Sequence, residues 1–237
     1  MNINIQSLKN ADVFLCSCIV CCLIITSGCH TKKTYSPDAF SAFSDINKIV
    51  VVGFRPVVPH DEKTITVRSP LSGSVFVAGP IPPEVIQPIT DMLFERLIAE
   101  SKCELVSPGQ AEGVYSSIVD SDKDAGIGTL EILQMVGNKF GSDALLAGFI
   151  YRWEEREGSD YAVNRPASVA FDLYLIRPTD GAILWRGKFD KTQRSLTENL
   201  MDLKTFVQGK GQWMTAEKLA LIGLNKLLNE IPICINR

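Results

Sequence analysis

The chain of 237 residues carries 24 Lys and Arg against 27 Asp and Glu, a formal charge of −3, so the basic stripe that nucleic-acid binding demands is absent. Its two histidines, His30 and His60, stand in polar stretches, which excludes a histidine-based triad or a zinc site inside a core. The length suits one good-sized domain, or one domain with an appendage.

The first feature along the chain is the apolar run 13–25, VFLCSCIVCCLII. Thirteen residues fall short of the roughly 20 a membrane-spanning helix needs, so the run reads as the apolar core of an export signal. Thr26-Ser27-Gly28-Cys29 resembles the lipobox of bacterial lipoproteins, with Thr26 where an aliphatic residue is usual. That resemblance implies a signal peptide over 1–28, removed on the N-terminal side of Cys29, and diacylglycerol on the Cys29 thiol. Two or three acyl chains hold a protein at a membrane essentially permanently, whereas one gives only marginal binding. His30 stands where inner-membrane retention in enterobacterial lipoproteins calls for Asp, so the resemblance implies a periplasm-facing protein of the outer membrane.

Residues 29–44 read as a lipid-anchored tether, because 30–44 have no strong periodicity; at about 3.3 Å per residue they reach at most about 50 Å. A single periplasmic α+β domain is expected over 45–237. Of the seven cysteines, four lie in the apolar run and Cys29 at its end, which leaves Cys103 and Cys234 as a pairable couple. Joined, they would close a loop of roughly 130 residues, stabilising by about 4–5 kcal/mol on chain-entropy grounds; two unpaired thiols are the alternative.

Within the domain, 48–54 is a β-branched run of the kind buried on both faces of a sheet. Residues 55–83 form a long segment rich in Pro, Gly and Ser with short strand-like pieces at 64–67 and 74–78. Connections of that length are usually functional or disordered, so Pro70, Leu71, Val75 and Phe76 are candidates for a partner-binding surface, with Trp213 in a second segment, 194–213. Helical spacing of Val85, Ile89, Met92, Leu93 and Leu97 follows, with Pro88 fitting only near the first turn or at a kink. A short strand at 104–107, a polar connection over 108–128 and a helix capped by Thr129 and stopped by Gly141 come next. Strands at 144–153, 168–176 and 182–188 follow, the last two joined by a hairpin turn at Asp180-Gly181. A short helix at 199–207 and a final helix carrying Leu219, Ile222 and Leu227 complete the chain. The expected fold is α+β, a mixed sheet of about five strands packed by three main helices in β-α-β-α-β-β-β-α order.

Three stretches, Lys48-Ile49-Val50-Val51-Val52-Gly53-Phe54, MVGNKFGSDALLAGFI at 135–150 and the hairpin around Asp180-Gly181-Ala182-Ile183-Leu184-Trp185, resemble the periplasmic α/β domain of curli-secretion lipoproteins, of lipoprotein activators of penicillin-binding proteins, and of the TolB N-terminal domain. Gly53-Phe54 stands where Pro-Phe is frequent. Residues 64–78 are too short and too broken for membrane-inserting hairpins, and no propeller repeats follow. The resemblance therefore implies a tethered adaptor or regulator that binds an envelope protein.

Asp120, Asp122, Asp124 and Glu131 fall at positions 1, 3, 5 and 12 of an EF-hand loop. Ala125 occupies the position that needs Gly, so a solvated acidic loop is the better reading and no cofactor beyond the covalent lipid is expected. Glu131 suits the first turn of a helix. No carboxylate pair or Ser-Lys couple stands out, so an enzyme is not expected. A non-enzymatic outer-membrane lipoprotein in envelope biogenesis, secretion or peptidoglycan synthesis is the first functional reading. A small-ligand, glycan or calcium-binding module is the second, and a carboxylate hydrolase the third.

Overall fold

The computed structural model describes residues 43, 46–59, 65–121, 126–159, 162–193 and 213–231, all within the compact unit Pro37–Arg237. The main sheet contains β1 (Lys48–Pro56), β4 (Glu104–Val106), β5 (Ala144–Glu154), β8 (Ser168–Ile176) and β9 (Ile183–Thr192), in the order β4-β1-β5-β8-β9. Strand β1 runs parallel to β4 and β5, while β5, β8 and β9 form an antiparallel meander. The fold is α+β with a mixed five-stranded sheet, as the sequence pattern predicts. A small hairpin, β2 (Thr66–Arg68) with β3 (Val75–Val77), and a ribbon, β6 (Glu157–Gly158) with β7 (Val163–Arg165), stand apart from it.

Helices cover both faces. Helix α1 (Ile86–Glu100) and helix α4 (Ala216–Leu228) pack with Ile49, Val51, Leu146, Phe171, Leu173 and Phe189 on one face. On the other, α2 (Pro108–Ser121), α3 (Thr129–Lys139) and the β2–β3 hairpin pack with Val50, Val52, Leu145, Phe149 and Tyr174. Burial on both sides explains why β1, β5 and β8 are mostly apolar along their length rather than alternating.

Two bulges set which side chains face which layer. In β1 the register shifts between Val51 and Gly53, so Phe54 shares a face with Ile49 and Val51, where strict alternation would send it to the opposite side. Gly53 has φ +82°, and a Cβ there would lie 2.4 Å from Cγ2 of Thr90, so the bulge requires glycine. Thr90 Oγ1 accepts from the Phe54 amide at 2.9 Å, which pins α1 to the bulge. In β5 the shift between Ile150 and Arg152 puts Trp153 on the α1/α4 face with Ile150. Asp143, just before β5, accepts from the amides of Asn47 and Lys48 at 2.9 Å each, which aligns the start of β5 with β1.

The segment 108–128, expected to be a polar connection, contains a fourth helix, α2. Its Gly109, Gly113 and three serines mask a face made by Ala111, Val114, Tyr115 and Ile118. Ser107 opens it: its hydroxyl is 3.4 Å from the Gln110 amide, and the Gln110 side chain accepts from the Ser107 amide at 3.3 Å, the reciprocal arrangement of a capping box. Thr129 is the first residue of α3, after Gly128 at the cap position, rather than the cap itself. Thr215, by contrast, caps α4 through Lys218. Residues 199–207 lie outside the described residues.

Candidate functional site

The β2–β3 hairpin is built from six paired residues, Thr66 with Val77, Val67 with Phe76, and Arg68 with Val75. Strand alternation sends Val67 and Phe76 toward the sheet and the other four outward. Phe76, only 1% exposed, stacks on Tyr151 with centroids 3.8 Å apart and planes 12° from parallel. Val75 and Val77 stand 49% and 56% exposed. Of the residues expected to contact a partner, Pro70 and Val75 are exposed and Leu71 half-buried, whereas Phe76 belongs to the core and is removed from the surface by the pleat. Trp213 is half-buried, with its carbonyl accepting from Arg156 at 2.9 Å. The rest of 194–213 lies outside the described residues.

Beneath the hairpin lies a buried polar network. Asp172, 2% exposed in the middle of β8, accepts from Tyr151 at 2.7 Å and from Tyr174 at 2.6 Å. The Tyr174 hydroxyl is also 2.7 Å from each of the Ser69 and Ser72 hydroxyls. One proton cannot serve three acceptors, so with it on the carboxylate Ser69 donates to Tyr174, while the Ser72 hydroxyl donates to Ser74 at 3.0 Å. Burial raises the Asp172 pKa above 3.8, opposed by the hydroxyls and by Lys188. Burial, then the hydrogen bond to Asp172, pushes Tyr174 up to about 12; burial, then the Asp172 charge, also raises Tyr151.

Two cations close the outer edge of β3. Arg152 donates from Nη1 to the Val77 carbonyl at 2.8 Å, from Nη2 to Asp190 at 2.7 Å and from Nε to Ser168 at 2.7 Å. Lys188 Nζ lies 3.4 Å from the Val75 carbonyl and 4.0 Å above the Phe76 ring. A Cβ at Gly79 would sit 2.4 Å from Cγ of Arg152, so only glycine lets the chain leave β3 so close to that side chain. Arg186, two residues before Lys188 on β9, is exposed and lies opposite Tyr174. The hairpin is thus fastened by directional bonds on its inner side and exposes Val75, Val77 and Arg68 on its outer side.

Sequence reading missed Asp172, Tyr151, Tyr174 and Arg152 as a functional set. The signal was a charged residue inside an apolar strand, Asp172 in SVAFDLYLI and Arg152 in ALLAGFIYRWE, since a buried charge persists only when partnered. Asp120 is exposed near the end of α2 and Glu131 in the first turn of α3, while Asp122 and Asp124 lie outside the described residues. Among the described residues no group of three or more His, Cys, Asp or Glu could hold a metal ion, and no helix is long and apolar enough to cross a membrane. Cys103 is half-buried and disulfide-bonded; Cys29 and Cys234 lie outside the described residues.

No family model and no curated protein matches the chain. Among solved structures it is similar to PelC from Paraburkholderia phytofirmans, a dodecamer, at 12% identity over 79% of this chain and 89% of that one, with a TM-score of 0.42. It is similar to the LpoB C-terminal domain from Salmonella enterica at 18% identity over 62% and 83%, TM-score 0.37. A third is lipoprotein GNA1162 from Neisseria meningitidis, at 14% identity over 77% and 98%, TM-score 0.37. No residue's role is carried over from them.

Proposed function

We propose that this chain is a non-enzymatic lipoprotein of the bacterial outer membrane, anchored through Cys29 and facing the periplasm, that docks an envelope protein on the outer face of its β2–β3 hairpin. The observation that carries this reading is the contrast between the two sides of the hairpin. Its inner side is held by Asp172, Tyr174, Arg152 and Lys188, so the outer side is presented rigidly, and binding need not pay the ordering cost of a loose loop. Its outer side exposes Val75 and Val77, with Ile65 at 75% exposure just before β2. Arg68, paired with Val75, adds a cation beside them, which fits a partner surface with an aliphatic centre and an acidic rim. Such an adaptor serves envelope biogenesis, secretion or peptidoglycan synthesis.

Affinity capture from membranes with the native anchor retained tests this. Val75→Asp combined with Val77→Asp is expected to abolish recovery of a partner while leaving the circular dichroism spectrum and Tm unchanged. Recovery of the same partner by that variant would overturn the hairpin as the docking face. Mass spectrometry of the mature N-terminus is expected to find acyl chains on Cys29; an unmodified leader would overturn the anchor.

A further inference from the structure

Cys103 follows α1 and immediately precedes β4, the three-residue strand at one edge of the main sheet. Its side chain packs against the core between the sheet and helices α1 and α4, with Sγ 3.4 Å from the Ile46 carbonyl. It is disulfide-bonded, and the other six cysteines are Cys16, Cys18, Cys21, Cys22, Cys29 and Cys234. The first four belong to the segment read as a cleaved signal, and Cys29 to the acylation site. Helix α4 packs on α1 in that same core, and beyond its end Ile231 is still 1% exposed within it. Cys234 is three residues further on, so a chain leaving Ile231 can travel only about 10 Å before reaching it.

We infer that Cys103 is joined to Cys234, so that the C-terminal tail is clasped to the edge of the sheet at β4. The inference rests on the export reading above, since a disulfide of this kind persists in an oxidising compartment. The bond forms by thiol–disulfide exchange with an oxidised dithiol oxidoreductase. One thiolate attacks the donor disulfide and releases a thiol; the second then attacks the mixed disulfide, so two protein thiols are oxidised as one donor disulfide is reduced to two thiols. The bond adds covalent restraint where the sheet has least: β4 contributes three residues and borders the open edge.

Peptide mapping of the full-length protein, purified from membranes without reductant, tests the pairing. The expected result is a linked pair of peptides containing Cys103 and Cys234, beside an acylated Cys29 peptide. A Cys103–Cys29 pair would overturn both the clasp and the anchor; acylated Cys29 with free thiols at 103 and 234, or a disulfide to another chain, would overturn the clasp alone. Cys234→Ser is expected to lower Tm on the order of 10 °C, to match Cys103→Ser, and to lose all further response to reductant. A Cys234→Ser protein that keeps the wild-type Tm and its sensitivity to reductant would also overturn the clasp.

Discussion

The two faces of the sheet solve burial in different ways, and β8 displays both. Val169, Phe171, Leu173 and Leu175 point into the α1/α4 layer and join its apolar cluster. Ala170, Asp172, Tyr174 and Ile176 alternate with them toward the hairpin and α3, and there the strand places a carboxylate and a phenol in the core. Hydrophobic burial is non-directional and tolerates rearrangement, so the first face supplies stability without dictating one arrangement. Hydrogen bonds to a buried carboxylate are directional and costly to leave unmade; the second face gives up some stability and in exchange fixes where the hairpin sits.

The sharpest way to break that contrast is to delete one side chain from each face. Phe171 meets Phe54 edge-on at 5.4 Å and Phe189 at 5.2 Å, so Phe171→Ala should cost about 3–5 kcal/mol in urea denaturation. Hydrogen exchange should then rise throughout the sheet. Asp172→Ala should cost about 1–3 kcal/mol for each tyrosine hydroxyl it leaves unpaired. Its loss should be concentrated, with faster exchange at the Ser69 and Gly79 amides, which tie the hairpin and its exit. If Asp172→Ala instead loosened the α1/α4 layer equally, the two faces would not be separable.

A pH series sharpens the same comparison. The folded Tyr174 pKa is raised to about 12 from 10.0, so the unfolded chain loses this proton first. The contribution is fully present below pH 10 and is lost as pH rises through about 12. Tyr174→Phe should flatten that alkaline fall. Asp172 is also raised, from 3.8, so its contribution is fully present below pH 3.8 and fades as pH climbs through the folded value. Asp172→Asn should remove that acid-side slope and weaken the alkaline one, because the hydrogen bond to Asp172 and its charge both raise Tyr174. Phe171→Ala should leave both slopes unchanged.

The smallest effects belong to the exposed surface. Val75→Asp and Val77→Asp should each move stability by no more than about 0.5 kcal/mol while removing partner binding. Calcium should leave Tm unchanged, where occupancy at 100 times its Kd would add about 2.7 kcal/mol.

Much of the fold was legible in the sequence because its signals are local. The β-branched run of β1, the periodic stripe of α1, the Gly141 stop at φ +58° and the positive φ of Gly181 in its hairpin all express single-segment preferences. Strand alternation likewise puts Trp185 and Phe189 on the core side of β9. Helix α2 escaped because its glycines and serines dilute the apolar spacing, although Ser107 and Gln110 carried its start signal. Phe76 was misassigned to the surface because its direction depends on which side of a three-residue hairpin meets the sheet.

Local pattern alone fixed most of the strands and helices and the mixed α+β class, since each follows from a period of 2 or 3.6 residues within one segment. Only the tertiary structure decided which side chains share a site. Asp172 finds Tyr151 on β5 and Ser69 and Ser72 across a gap of about a hundred residues, through Tyr174. The β5 bulge brings Arg152 to the Val77 carbonyl. A buried carboxylate in a sequence states only that partners are needed; the register, the bulges and the layer order choose them.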